Sequence, residues 1–174
     1  LDEKVSSLYL VPHWGEILVM IALIPAGILI LAGFTVILLY QFRKGLGIPW
    51  LIAAIASVSA WVLTLVLHWI TPLPLFLIGW NPIEKLTNIL GFQLDLISWP
   101  FAFGLTSLIV AVIFTSSARL YQSTGPAVWG VNLIIAGFGF LTVIAATPLT
   151  IILTWTLIDL GELIILQRAI HQPD

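Results

Sequence analysis

Five long apolar runs, separated by short interruptions, constrain this chain more than any other feature. The runs cover residues 16–41, 49–71, 96–117, 126–146 and 148–167. Each has about the ~20 residues that an α-helix needs to cross ~30 Å of hydrocarbon. Only 8% of the 174 residues are charged, whereas a soluble domain carries roughly 25%. We therefore expect an all-α integral membrane protein with about five transmembrane helices, forming a single transmembrane domain over residues 1–174.

Proline and glycine punctuate the runs in ways that predict local geometry. Pro49 and Pro126 open two of the runs, where proline suits a first helical turn. Pro25 lies inside the first run and predicts a kink. Only "TP" separates the last two runs, which predicts a tight antiparallel pair. Gly137 and Gly139 favour close packing of the fourth helix against a neighbour.

The distribution of lysine and arginine predicts the orientation. With five spans, the loops at 42–48 and 118–125 share one side with the C-terminus. The residues on that side are Arg43, Lys44, Arg119 and Arg168, against Lys4 and Lys85 on the other. The basic side is the cytoplasmic one, so we expect the N-terminus outside and the C-terminus in the cytoplasm. The expected location is the inner (plasma) membrane of a cell or an equivalent energy-transducing membrane. Trp14, Trp50 and Trp69 lie near span ends, which is typical of interfacial anchors.

The longest loop, residues 72–95, is expected on the outer side. It holds β-prone runs around "LFLIGW" and "FQLDLI", flanking an Asn-Pro turn. A free loop of this composition would expose apolar surface to water. We therefore expect a small hairpin-like cap over the helix ends.

Two acids interrupt the fifth run, "PLTIILTWTLIDLGELIILQ". An Asp at a helix centre costs ~2.5–3.5 kcal/mol of insertion free energy, and each Leu or Ile returns only ~0.3–0.6 kcal/mol. Thr156, Asp159 and Glu162 recur every three residues and therefore share one side of the helix. We expect this stripe to face protein or water. It acts either as a proton relay or as a structural polar contact that never titrates.

Composition excludes several other classes of site. The chain has no cysteine, so disulfides, zinc-thiolate sites and thiol nucleophiles are excluded. With three widely spaced histidines, and His68 beside Trp69 near a span end, neither a metal nor a haem site is predicted, and we expect no cofactor. The net charge of −2 gives no reason to expect nucleic acid as a partner. No phosphate loop, nucleophile motif or dinucleotide fingerprint is present.

Two segments resemble a known family. The segment "FLIGWNPIEKLTNILGFQLDLISWPF" is similar to the outer loop and third-helix entry of the antiporter-like subunits of respiratory complex I and Mrp-type cation/proton antiporters. There a Trp-containing strand precedes an "L-D-x-L-S" pattern, matched by Trp80 and Asp95. The stretch "NLIIAGFGFLTVIAATPLTIILTWTLIDLGELIIL" resembles the family's fourth and fifth helices, in which "L-x-W-E-x-x-x-L" is matched at Trp155. The resemblance covers about residues 17–167.

The chain also departs from the family pattern. The family acid that follows the tryptophan forms part of the proton path, whereas Thr156 stands there in this chain. Asp159 and Glu162, one and two turns further along, are our own candidates to replace it. The family fold continues to about fourteen helices in two inverted five-helix repeats, with essential lysines in later helices. Residues 168–174 are too few to contain any of those helices.

The resemblance therefore implies the N-terminal portion, or a split form, of an antiporter-like subunit in a proton- or sodium-translocating complex. Its expected partners are lipid and other membrane subunits, including a chain that supplies the missing later helices and covers the fifth helix. Such a subunit of an ion-translocating oxidoreductase is not catalytic by itself. Two alternatives stay open: a degenerate scaffold subunit without transport, and a small oligomeric exporter built around an intramembrane acid.

Overall fold

The computed structural model describes residues 13–42, 47–73, 75–78, 90–117 and 126–170. Five helices overlap the five predicted spans, and a short 3-10 helix, His68–Ile70, extends the second of them. The helices are α1 (His13–Phe42), α2 (Gly47–Leu67), α3 (Ser98–Ser117), α4 (Pro126–Val143) and α5 (Pro148–Ile170). Two three-residue strands, β1 (Phe76–Ile78) and β2 (Leu90–Phe92), lie between α2 and α3.

Three helical segments are long and apolar enough to cross a membrane. They are Met20–Phe42, Gly47–Ile70 and Ser98–Ser116. In α4 the apolar stretch Ala127–Val143 is shorter, although the 18 residues of the whole helix span about 27 Å at 1.5 Å per residue. Helix length and composition therefore fit a membrane location.

α4 is the central helix, and α1, α2, α3 and α5 all pack on it. Its closest approach is to α1, where no side chain separates Gly33 from Gly130. A Cβ on Gly33 would lie 2.5 Å from the carbonyl oxygen of Gly130. Gly137 packs against Ile30 of α1 in the same way, and Gly139 faces Leu105 of α3. Small residues thus bring α4 close to two neighbours at once.

Aromatic side chains join α2 to α3. The indole N–H of Trp99 donates to the carbonyl oxygen of Thr64 at 2.8 Å, and that of Trp61 donates to the hydroxyl of Ser107 at 2.9 Å. Phe103 lies between the two indoles, with ring centroids 5.3 Å from Trp99 and 5.7 Å from Trp61. Each of these half-buried indoles therefore has a hydrogen-bond partner, as tryptophan needs away from water.

The tryptophans predicted as interfacial anchors have different surroundings. Trp50 is half-buried, and its indole N–H donates to the carbonyl oxygen of Ile113 at 3.4 Å. It therefore takes part in helix packing. Trp69 is exposed, as an anchor requires. The side chain of Trp14 lies outside the described residues.

The two strands tie the loop between α2 and α3 to the junction of α4 and α5. They pair antiparallel, with Phe76 opposite Phe92. The backbone N–H of Gln93 donates to the carbonyl oxygen of Ile144 at 2.7 Å, and the backbone N–H of Ala146 donates to the carbonyl oxygen of Gly91 at 2.8 Å. Strand β2 starts two residues before the predicted β-prone run, and the stretch at 79–89 falls outside the described part of the chain.

Candidate functional site: the outer face of α5

Hydroxyl groups fix the side of α5 that faces the bundle. The Thr142 hydroxyl of α4 donates to the Thr154 hydroxyl of α5 at 2.9 Å. One turn earlier, the Thr150 hydroxyl accepts the backbone N–H of Gly91 at 2.9 Å. Two turns after Thr154, a Cβ on Gly161 would lie 3.3 Å from Ile135. These contacts define the inner face of α5.

Apart from this contact line, α5 adds little to the interior. Its buried side chains, among those described, are Thr150 and Thr154, which are 1% and 5% exposed. Both hydrophobic core clusters are drawn from α1 to α4, the loop between α2 and α3, and Ile144. By contrast, Ile152 is 63% exposed and Trp155 59%. An apolar helix thus presents most of its circumference outward.

The polar stripe predicted on α5 lies on this outward side. Asp159 follows Thr154 by five residues, which is about 140° around a helix of 3.6 residues per turn. Asp159, Glu162 and Thr156 are all exposed. The Thr156 hydroxyl donates to the carbonyl oxygen of Ile152 at 2.7 Å, within its own helix. Neither acid has a hydrogen bond or an ion pair within the described part of the chain. We refer to Trp155, Thr156, Asp159 and Glu162 as the acidic face.

Helix geometry gives the positions of the two acids along α5. Asp159 is eleven residues after Pro148, the first residue of α5, so it lies about 16 Å along the axis at 1.5 Å per residue. The same arithmetic puts Glu162 about 21 Å along. The sequence predicts that α5 crosses a hydrocarbon layer ~30 Å thick from Pro148 onward, which would put Asp159 near the middle of that layer.

No cation for these acids comes from the preceding helices. All six Lys and Arg residues lie outside the ranges of α1 to α4. Arg168 lies six residues after Glu162, in the last part of α5. A positive partner at the depth of Asp159 must therefore come from outside α1 to α4.

Asp95, one of the residues matched to the family pattern, is a helix cap. Its carboxylate accepts the backbone N–H groups of Ile97 at 3.0 Å and Ser98 at 2.6 Å. The Ser98 hydroxyl in turn accepts the N–H of Asp95 at 2.9 Å. This reciprocal arrangement satisfies the free N–H groups at the start of α3. Hydrogen bonds from Ser98 and Ile97 hold the pKa of Asp95 below its ordinary value of 3.8.

Two further residues match the family pattern, Trp155 and Trp80, and only the first lies among the described residues. Trp155 is on the acidic face, beside the acids and away from α4. Trp80 lies outside the described residues. The structure does not bring Asp95 to the acidic face, because Asp95 lies at the start of α3 while the acids lie well inside α5.

Sequence reasoning missed Asn132, an amide inside an apolar helix. It lines an apolar groove of about 320 Å³ between α3 and α5, with α4 as the floor. The other two asparagines, Asn81 and Asn88, lie outside the described residues. The criterion that selected the acids, a polar group inside a predicted span, would have found it.

Among the described residues, no three His, Asp or Glu side chains come together as a metal site would need. No family model matches the sequence, and no curated protein matches it. The likeness to antiporter-like subunits therefore rests on the residues of the two segments quoted above.

Proposed function

We propose that this chain is a membrane subunit of a proton- or sodium-translocating complex of the complex I/Mrp type, and that α5 supplies protonatable carboxyls to an ion path completed by a partner chain. One observation carries the proposal. Asp159 and Glu162 lie deep along α5, on the side turned away from α4 and from both core clusters.

Exposure to lipid is a costly state for this face. A single Asp at mid-depth costs ~2.5–3.5 kcal/mol of insertion free energy, and intramembrane acids face a protein interior or a water-filled cavity almost without exception. The buried hydroxyls of α5 face the other way, so the bundle of α1 to α4 does not provide that interior. A polar surface of another membrane chain would provide it.

A carboxyl in such an interface has the chemistry of a proton station. It holds a proton when its surroundings are apolar and releases it when a cation or water approaches. The resemblance to antiporter-like subunits implies lysines on later helices as that cation. Asp159 and Glu162 are one turn apart, so a proton has two acceptors along the same side of the helix.

One specific observation supports the alternative that the chain is a scaffold subunit without transport. Thr156 stands where the family has its acid, and its hydroxyl bonds to the α5 backbone. In that account the acids only hydrogen-bond a partner helix. The two accounts differ in whether a neutral, isosteric replacement of the acids changes ion flux.

The test is proton or sodium translocation by the intact complex in inverted membrane vesicles. We expect Asp159→Asn with Glu162→Gln to lower flux at least ten-fold per assembled complex. Asp95→Asn is the matched control, because it removes an acid outside the spans, and its flux should stay within two-fold of the unmodified chain. Unchanged flux in the double variant at normal assembly would reject the relay in favour of the scaffold. Flux by the purified chain alone would reject both in favour of the exporter.

A further inference from the structure

A histidine and a tryptophan are stacked where the end of α2 meets the start of α3. The ring centroids of His68 and Trp99 are 4.3 Å apart, with 38° between the ring planes. His68 is the first residue of the 3-10 helix that extends α2, and Trp99 is the second residue of α3. The ring pair therefore joins the two helices at the end of the bundle from which the loop with the two strands extends.

Two other contacts hold the indole of Trp99 in place. Its N–H donates to the carbonyl oxygen of Thr64 on α2 at 2.8 Å. Its ring stacks on Phe103, with centroids 5.3 Å apart and 11° between the planes. Because these contacts fix both the tilt and the position of the indole, the imidazole of His68 meets a preformed aromatic surface.

The imidazole of His68 is accessible, unlike the indole. Its side chain is exposed, whereas Trp99 is half-buried. Neither ring nitrogen of His68 has a hydrogen bond or an ion pair within the described part of the chain. The apolar segment that contains His68 ends two residues later, at Ile70, which is about 3 Å away along a helix axis. Protons at the level of the lipid headgroups can therefore reach the imidazole.

Among the described side chains, no charged group pairs with His68. Helices α2 and α3 and both strands contain no Lys, Arg, Asp or Glu. Asp95, in the turn before α3, caps that helix and makes no ion pair with His68. Tyr40 is near the far end of α1, and the acidic face is on the outward side of α5. The side chains of His13 and Glu16, at the start of α1, lie outside the described residues.

The charge state of His68 changes the strength of this ring contact. A cation within ~6 Å of an indole centroid is attracted by the negative face of the ring, and a neutral imidazole lacks this attraction. Histidine changes its charge between about pH 8 and pH 5. We propose that His68 and Trp99 form a pH-sensitive clamp, in which uptake of a proton by His68 tightens the contact between α2 and α3. The clamp is a device of the bundle itself and does not depend on the proposed ion path.

Thermal unfolding of the full chain in one detergent, between pH 8 and pH 6, tests the clamp. A contact that is stronger in the protonated form adds stability as the pH falls, so the Tm should rise by about 1–4 °C. Asp95 stays ionised over this range, because its pKa is lowered from 3.8. His68→Gln, which cannot take up the proton, should abolish the rise, and His13→Gln, which removes another imidazole, should keep it. An equal rise in His68→Gln, or no rise in the unmodified chain, would overturn the proposal.

Tryptophan fluorescence tests whether Trp99 is the partner of the protonated ring. A protonated imidazole in contact with an indole quenches its emission, so the unmodified chain should lose more emission than His68→Gln between pH 8 and pH 6. In a Trp99→Phe background, His68→Gln should make no difference to this loss. Equal losses in the unmodified chain and His68→Gln would overturn the clamp, as would a difference that persists without Trp99. Both measurements use the isolated chain, so their outcome is separate from that of the flux experiment on the complex.

Discussion

The Thr142 hydroxyl on α4 donates a hydrogen bond to the Thr154 hydroxyl on α5 across 2.9 Å, and this contact turns Asp159 away from the bundle. The Thr154 hydroxyl also donates to the carbonyl oxygen of Thr150 at 2.8 Å, so both hydroxyls are satisfied. The position of the acidic face therefore depends on a hydroxyl pair on the opposite side of the helix.

Replacing Thr154 by valine should loosen the attachment of α5. The variant removes the acceptor of the interhelical bond, and the single hydroxyl hydrogen of Thr142 then goes to the carbonyl oxygen of Phe138, which lies at 2.9 Å. Interhelical hydrogen bonds in membranes average ~0.6 kcal/mol and reach ~1.7 kcal/mol, so we expect a loss of unfolding free energy within this range. Thermal unfolding in detergent measures it. Thr35→Val is the control, because that exposed hydroxyl bonds only within α1; equal losses in the two variants would show that the interhelical bond contributes nothing.

A methyl group on Gly33 should disrupt the packing of α1 on α4. It would lie 2.5 Å from the carbonyl oxygen of Gly130 and 2.6 Å from Ile134, and overpacking of this kind costs about 1–3 kcal/mol. Gly104→Ala should raise the free energy of unfolding, because the new methyl group would meet nothing within 4 Å apart from its chain neighbours and its own helix backbone, and alanine favours a helix by ~0.5–1 kcal/mol. Thermal stability of both variants in one detergent tests the pair. A Gly33→Ala chain as stable as Gly104→Ala would contradict the close approach.

Stability should fall in acid through Asp95. Its pKa is lowered in the folded chain by hydrogen bonds from Ser98 and Ile97, so the ionised cap stabilises the fold above the unfolded pKa. This contribution is lost as the pH falls through the lower, folded pKa. Unfolding measured from pH 6 to pH 3 should show a steeper decline for the unmodified chain than for Asp95→Asn, whose cap does not titrate. Asp95→Ala, which removes the cap, should lower the free energy of unfolding by about 1 kcal/mol at pH 7. If the stability of the unmodified chain and that of Asp95→Asn fell in parallel with pH, the ionised carboxylate of Asp95 would not be stabilising the start of α3.

The lysine and arginine distribution predicts that the loop between α2 and α3 is outside the cell. Since the chain has no cysteine, single cysteines give an unambiguous labelling experiment. Gln93→Cys, beside β2, should react with an impermeant maleimide in intact cells. Gln41→Cys, at the end of α1, should react only after the membrane is permeabilised. The reverse pattern would invert the orientation.

Much of the fold could be predicted because its cause is local. Apolar runs, opened by Pro49, Pro126 and Pro148, predicted where helices lie, and α4 and α5 begin at the prolines themselves. Which helices pack against each other depends on the fit between surfaces that are far apart in the sequence. That Gly33 meets Gly130 follows from two backbones approaching across about a hundred residues of sequence, and no local pattern specifies such a pair.

The candidate site was predictable in part for the same reason. Helical spacing placed Thr156, Asp159 and Glu162 on one side of α5, because that depends only on the period of the helix. The direction in which this side points depends on the contacts of Thr150 and Thr154. The sequence does not indicate that these two hydroxyls, rather than others, contact the bundle. The groove is formed by three helices, so the place of Asn132 in its lining is visible only in the structure.

Carbodiimide labelling of the intact complex tests the central claim most directly. A carbodiimide that partitions into lipid modifies protonated carboxyls in apolar surroundings, so mass spectrometry of the α5 peptide reports whether Asp159 or Glu162 is protonatable in the membrane. We predict that this peptide is labelled, that ion flux is lost as the label accumulates, and that the peptide from the Asp159→Asn, Glu162→Gln chain is not labelled. An α5 peptide that stays unlabelled, while the assembled complex translocates ions at its full rate, would contradict the account.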